Sequence, residues 1–209
     1  NSASFKEFLG KNFDDEELYK LKKISEALGI IFFSTPGDFK SLRRIIKINL
    51  PLVKISSGLA TNIPLIEEVA RNKLPMIIST GMANEEEIRE AVETAKNAGC
   101  KELVVLHCVS GYPAPAEDYN LATIPDMAAR YDVLTGLSDH TIDNTTAITS
   151  VALGACLIEK HVTLDRNGGG PDDSFSLEKP ELLQLCRDSK IAWQALGKVN
   201  YERKESEKG

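Results

Sequence analysis

The sequence contains three histidines, His107, His140 and His161, and all three fall at the ends of short apolar runs. In Leu137-Ser138-Asp139-His140 the two-residue period of a strand puts Ser138 and His140 on one face. In Ile158-Glu159-Lys160-His161 it puts Glu159 beside His161. Two neutral imidazoles converging from neighbouring strands suit a divalent metal, and two protein ligands leave positions for water and substrate. The alternative is that each histidine is a satisfied structural residue. For His107, one residue before Cys108 within an apolar run, that structural reading leads.

Lys54 ends a run that is otherwise apolar. A buried ammonium needs a counter-charge. A bound phosphate or carboxylate would supply one, and so would a structural Glu. Ser57, Ser79, Ser110 and Ser138, with Thr35, are hydroxyls at the ends of such runs. One serine there is common, but four with a lysine around one opening suggest an oxyanion pocket. The segment Asn167-Gly168-Gly169-Gly170-Pro171-Asp172-Asp173 matches neither phosphate-binding glycine pattern. It reads either as a plain turn or as a loop that carries Asp172 to a polyhydroxy ligand. Tyr112, before Pro113 and Pro115, either stacks on a ligand or packs.

The elements that must position these residues alternate along the chain. Strand candidates cover residues 30–34, 52–55, 76–79, 103–108, 133–137 and 157–161, most of them apolar throughout, as strands buried on both faces are. Helical patterns lie between them. Asn84 before three glutamates is an N-cap with Glu87 placed for a capping box. Ile88, Ala91, Val92 and Ala95 then form one stripe, and Gly99 ends the helix. Asp14 opens a helix with the stripe Leu18, Leu21 and Ile24, closed by Gly29. Pro180 suits the first turn of a last helix carrying Leu182, Leu183, Leu185 and Cys186, with Gly197 after it. This alternation predicts an α/β fold with a parallel sheet. Polar residues at successive strand ends favour a (β/α)8 barrel, whose strand ends share one mouth, over an open sheet. Six strands are countable, so the expectation is a TIM barrel lacking its two N-terminal strands. Residues 1–198 form its domain and 199–209 a charged linker.

With 42% hydrophobic and 27% charged residues, the 209-residue chain has the composition of a globular domain. A net charge of -6 argues against nucleic acid or an anionic membrane surface as the main partner. No run is long and apolar enough to span a bilayer, and the start shows no signal-peptide pattern. Cys100, Cys108, Cys156 and Cys186 have no metal or disulfide spacing and read as buried free thiols of a reducing, cytoplasmic compartment. A first residue Asn1 and an abrupt charged end suggest a piece of a longer protein.

Several segments together resemble the nonulosonic acid synthases, the sialic acid (N-acetylneuraminate) synthase family with its legionaminic and pseudaminic branches. They are Lys54-Ile55-Ser56-Ser57-Gly58, Ser79-Thr80-Gly81-Met82, Leu106-His107-Cys108 with Tyr112-Pro113, Gly136-Leu137-Ser138-Asp139-His140-Thr141, Ile158-Glu159-Lys160-His161 and Gly170-Pro171-Asp172. The resemblance implies condensation of phosphoenolpyruvate with an N-acetylated hexose, release of phosphate, use of Mn2+ or Mg2+, and a homodimer. It also implies roles. His140 and His161 match the metal pair. Lys54, Thr35, Ser57, Ser79, Ser110 and Ser138 match the phosphoenolpyruvate pocket. Tyr112 and Asp172 match sugar contacts, and Glu159 is placed to orient or deprotonate the attacking water. At Leu59 the sequence departs from the family, which often has an acidic residue there. The family's first two strands and its C-terminal antifreeze-like domain have no counterpart. Residues 57–62 look like the sialic and legionaminic branches, residues 169–176 more like the pseudaminic one. Two rival readings remain: an inactive sugar- or anion-binding barrel of the same lineage, and an aldolase that uses Lys54 as a Schiff base.

Overall fold

The computed structural model describes residues 13–208. Helices α1 (Asp15–Ala27) and α2 (Phe39–Lys47) come first. Five strand–helix units follow: β1 (Val53–Ile55) with α3 (Ile63–Arg71), β2 (Met76–Ser79) with α4 (Glu85–Asn97), β3 (Leu103–Cys108) with α5 (Thr123–Tyr131), β4 (Leu134–Asp139) with α6 (Thr145–Ala152), and β5 (Ile158–Lys160) with α7 (Lys179–Leu196). The strands form one parallel sheet in the order β1-β2-β3-β4-β5.

Helix starts follow the sequence signals. The side chains of Asp14 and Asn84 each accept the N–H of the residue three positions on, and Glu17 and Glu87 return the bond to complete capping boxes. The stripe of α4 is buried at Ala91, Val92 and Ala95. The stripes of α1 and α7 are not. Nothing on α1 is buried, with Ile24 58% exposed, and of the α7 stripe only Leu185 is buried. A helix's period sets which residues share a face, whereas burial needs a neighbour to cover that face.

The expectation of six strands is corrected. Residues 30–34 form no strand, only an isolated bridge from Ser34 to Val53, held by Lys54 N–H donating to the Ser34 carbonyl at 3.2 Å. Ile30 and Ile31 stay exposed. An apolar run becomes a strand when its backbone groups find ladder partners, and this one has a described neighbour on one side only. At the other end β4 runs two residues beyond the expected 133–137, so Ser138 and Asp139 lie within the ladder.

Alternation sorts the strands into two faces. Val53, Ile55, Met76, Ile78, Leu103 and Val105 point into the main core with Leu65, Ile66, Val69, Ala91 and Val92 of the helices. Lys54, Ser79, Ser138 and Glu159 occupy the opposite face. The sheet is curled into a half-barrel around that face. In a flat parallel sheet, β1 and β5 would lie about 19 Å apart, four spacings of roughly 4.8 Å. Instead Lys54 Nζ on β1 sits 3.3 Å from Glu159 Oε2 on β5. Close approach of strands within this curl also explains Gly136 on β4: a Cβ there would come within 2.3 Å of the Leu157 carbonyl oxygen and 2.7 Å of Leu106 Cδ2. Among the described residues no helix is long and apolar enough to cross a membrane.

Candidate active site

The concave face carries a row of polar groups whose order follows from strand parity. Lys54 on β1 is buried. Its ammonium donates to the Ile55 carbonyl at 3.1 Å and pairs with Glu159. Glu159 Oε1 accepts from Ser138 Oγ at 2.7 Å and from Ser79 Oγ at 3.3 Å. Three strands thus donate to one carboxylate on a fourth. Within the protein the counter-charge of Lys54 is Glu159, whose side chain remains 36% exposed at the mouth, where an anion can also reach the ammonium. Burial lowers the Lys54 pKa, and the opposing pull of Glu159 does not fully offset it.

Beside this group lies a second, smaller one. Ser57 Oγ accepts the Gly81 N–H at 3.0 Å and reaches Cys108 Sγ at 3.4 Å. Ser110 Oγ is buried and has no hydrogen-bond partner among the described residues. A Cβ on Gly81 would lie 2.2 Å from Ser110 Oγ and 2.8 Å from Ser57 Oγ, so only glycine lets these hydroxyls converge. A buried hydroxyl without a partner is a donor that an anion would satisfy.

His140 and His161 follow the last paired residues of β4 and β5, and their ring centroids are 5.3 Å apart. His140 Nδ1–H donates to the Val109 carbonyl at 2.7 Å, which orients the ring and turns Nε2 to the other side. Its backbone N–H donates to Tyr119 Oη at 2.6 Å, and its carbonyl accepts from Ala114 N–H at 3.1 Å. Burial pushes the His140 pKa down, but hydrogen bonds to Cys108 and Val109 outweigh it and the net direction is up. Burial pushes His161 down, towards the neutral, ligating form, against the pull of Asp172. His161 Nδ1 lies 3.5 Å from Asp172 Oδ2. Among the described residues no group of three or more His, Cys, Asp or Glu is placed to hold a metal, so the protein donors for one would be these two imidazoles. One ring nitrogen oriented by a backbone carbonyl and the other by a carboxylate is the arrangement of ligating histidines, and the pair fits a divalent cation.

Tyr112 covers the pair, with its ring centroid 4.2 Å from His140 and 5.9 Å from His161, and Phe175 packs behind it. The loop carrying Asp172 is tied down by its neighbour: Asp173 accepts from Gly170 N–H at 2.7 Å and from Thr163 Oγ1 at 2.6 Å. It is an anchored loop that leaves the Asp172 carboxylate facing His161.

The structure therefore brings together Lys54, Ser57, Ser79, Ser110, Tyr112, Ser138, His140, Glu159, His161 and Asp172. It does not bring in Thr35, which is exposed beside Asp38, Ser41 and Arg44 in a separate surface pocket. Thr35 follows a single bridge rather than a strand, so no ladder fixes its direction. His107 is structural as expected: it points away from the site and its Nε2–H donates to the Tyr119 carbonyl. The four cysteines are free, but only Cys100 and Cys108 are buried. Cys156 lies in the turn before β5, the last strand of the sheet, and Cys186 neighbours the one buried residue of α7. Sequence reasoning missed Cys108, Tyr119 and Phe175, which carry no signal of their own within apolar or mixed segments. It also missed Asp139 and Lys160, whose signal was present: each is a charge in an apolar run, one residue before a site histidine.

The chain is similar to known proteins along nearly its whole described length. The NeuB family model matches residues 3–201. The N,N'-diacetyllegionaminic acid synthase of Legionella pneumophila is 36% identical over 94% of this chain and 56% of its own length. The pseudaminic acid synthase of Helicobacter pylori is 33% identical over 85% of this chain and 52% of its own. The chain thus spans about half the length of the curated relatives it matches. The crystal structure of the N-acetylneuraminic acid (sialic acid) synthetase from Leptospira borgpetersenii superposes with a TM-score of 0.88 at 36% identity, over 94% of this chain and 69% of that one. Together the family match across the chain and the shared half-barrel place it: the chain belongs to the NeuB family.

Proposed function

We propose that the protein joins phosphoenolpyruvate to the aldehyde carbon of an open-chain N-acetylated hexose, releasing phosphate and forming a nonulosonic acid within an eight-stranded barrel. The observation that carries this reading is the juxtaposition of two imidazoles, 5.3 Å apart, with a lysine–hydroxyl–carboxylate row along one wall. His140 and His161 would hold the divalent cation, Mn2+ or Mg2+, which when bound would polarise the sugar aldehyde. Ser57 and Ser110, which converge beside Gly81, receive the phosphate together with Lys54, whose ammonium the anion shares with Glu159. Carbon–carbon bond formation turns the aldehyde oxygen into an alkoxide, which takes a proton from water, and leaves positive charge at C2 of the enol, for which the carboxylate of this row is Glu159. That carboxylate, held by Ser79 and Ser138, orients the water that attacks C2 and accepts its proton, and phosphate then departs. Tyr112 and Asp172, at the rim, contact the sugar. The names of the relatives support a sialic-type acid as product, and the acceptor sugar is left at the level of an N-acetylated hexose.

The test is phosphate release by the full-length protein from phosphoenolpyruvate, with Mn2+ and a panel of N-acetylated hexoses. Release that requires both metal and sugar, and that His140→Ala and His161→Ala each abolish, is the expected result. Mn2+ and phosphoenolpyruvate binding without release would establish the inactive binder instead. A borohydride-trapped Lys54 adduct would establish the Schiff-base aldolase.

A further inference from the structure

Each of the two site histidines directly follows one half of a buried ion pair. Asp139 precedes His140 and Lys160 precedes His161. Their carboxylate and ammonium meet at 2.6 Å with side chains 0% and 4% exposed. Asp139 and Lys160 are register partners in the last paired position between β4 and β5. Their side chains lie on the face opposite Ser138 and Glu159, away from the site. Beyond that position no ladder bond joins His140 to His161: each is tied to a different segment, His140 to Tyr119 and Ala114 and His161 to Leu177, whose N–H donates to its carbonyl at 2.9 Å, so nothing in the ladder itself fixes their separation.

Lys160 closes the gap. Besides Asp139, its ammonium donates to the Thr141 carbonyl at 2.6 Å, the Thr141 hydroxyl at 3.2 Å and the Asp143 carbonyl at 2.8 Å. One side chain from β5 therefore holds the Asp139 carboxylate just before His140 and the backbone carbonyls of Thr141 and Asp143 just after it. Asp139 adds its own bonds to the Thr141 N–H at 2.9 Å and the Thr141 hydroxyl at 3.1 Å, which set the turn after His140. A charge pair this dry is costly unless every bond is made, and here the three N–H groups of the ammonium share four acceptors within 3.2 Å.

We propose that the Asp139–Lys160 pair is a positioning device that fixes the separation of His140 and His161 and so sets the affinity of the site for its divalent cation. The inference rests on the reading of the two histidines as metal ligands. Neither charged group touches metal or substrate; both act through the backbone of the histidine that follows.

The test measures Mn2+ affinity of the full-length protein by the electron paramagnetic resonance signal of free Mn2+, and inorganic phosphate affinity by calorimetry. The variants are Lys160→Met, Lys160→Arg and the double variant Asp139→Asn/Lys160→Met. The double variant leaves no buried charge unpaired and serves where Lys160→Met alone fails to fold. Expected is a loss of roughly ten- to a hundred-fold in Mn2+ affinity for Lys160→Met and for the double variant, the size typical of groups that orient metal ligands. Phosphate affinity, carried by the other strands, should stay within about twofold, and Lys160→Arg should recover part of the Mn2+ loss. A folded double variant with wild-type Mn2+ affinity overturns the inference. So does an equal loss of Mn2+ and phosphate binding, which would mark general loosening. Absence of Mn2+ binding in the wild type would instead remove the metal-site reading, and the inference with it.

Discussion

Glu159→Gln keeps the side-chain shape and an acceptor for Ser138 and Ser79 but removes the charge that faces Lys54. The Lys54 side chain is 7% exposed, so its ammonium would stand buried without a counter-ion. Breaking a fully buried ion pair costs about 3–5 kcal/mol. Here the Glu159 side chain is 36% exposed and water screens part of the pair, which brings the expected loss to about 1–3 kcal/mol. An anion can take over the lost role. If phosphate binds beside Lys54, it stabilises the folded state by about 2.7 kcal/mol at a hundred times its dissociation constant. The assay is urea denaturation of wild type and variant, each with and without inorganic phosphate. In phosphate-free buffer the variant should have the lower midpoint at an unchanged slope, and saturating phosphate should bring the two midpoints together. The reasoning is refuted if Glu159→Gln is as stable as wild type without phosphate. It is also refuted if phosphate stabilises the variant less than the wild type, because then the anion does not approach Lys54.

Gly81→Ala would drive a methyl group to 2.2 Å from Ser110 Oγ, so it should cost about 1–3 kcal/mol of stability and lower phosphate affinity at least tenfold. Wild-type phosphate affinity in a calorimetric titration of this variant would show that the anion binds elsewhere. His107 gives a pH signature. Burial holds its pKa below the ordinary 6.5, so the unfolded chain takes up the proton first. Its contribution is fully present above 6.5 and is lost as pH falls through the folded-state value. His161 is shifted in the same direction, so the measurement is the difference in midpoint-versus-pH slope between wild type and His107→Gln. Expected is a flatter acid limb in the variant, and an unchanged slope would mean that His107 is not the titrating group.

Much of the local architecture was legible from a few neighbouring residues. Caps at Asp14 and Asn84, the stop at Gly99 and the proline in the first turn of α7 act within one helical turn, where the sequence itself holds both partners of each bond. Strand parity has the same local origin. It places Ser138 with His140 and Glu159 with His161 without any tertiary contact, and successive parallel strands bring the two histidines into one mouth.

Tertiary structure decided what depends on partners far along the chain. The counter-charge of Lys54 sits 105 residues away on β5 and comes within reach only because the sheet curls. Sheet curvature is a sum over all strand contacts, and no short segment encodes it. The same reason explains why the run at 30–34 is reduced to a bridge at Ser34, and why Thr35 stands apart from the hydroxyls it was expected to join. Asp139 and Lys160 show the division most plainly. Their charges were visible in apolar runs, but whether they faced water, substrate or each other was settled by the register of β4 against β5, which joins them on the face away from the site.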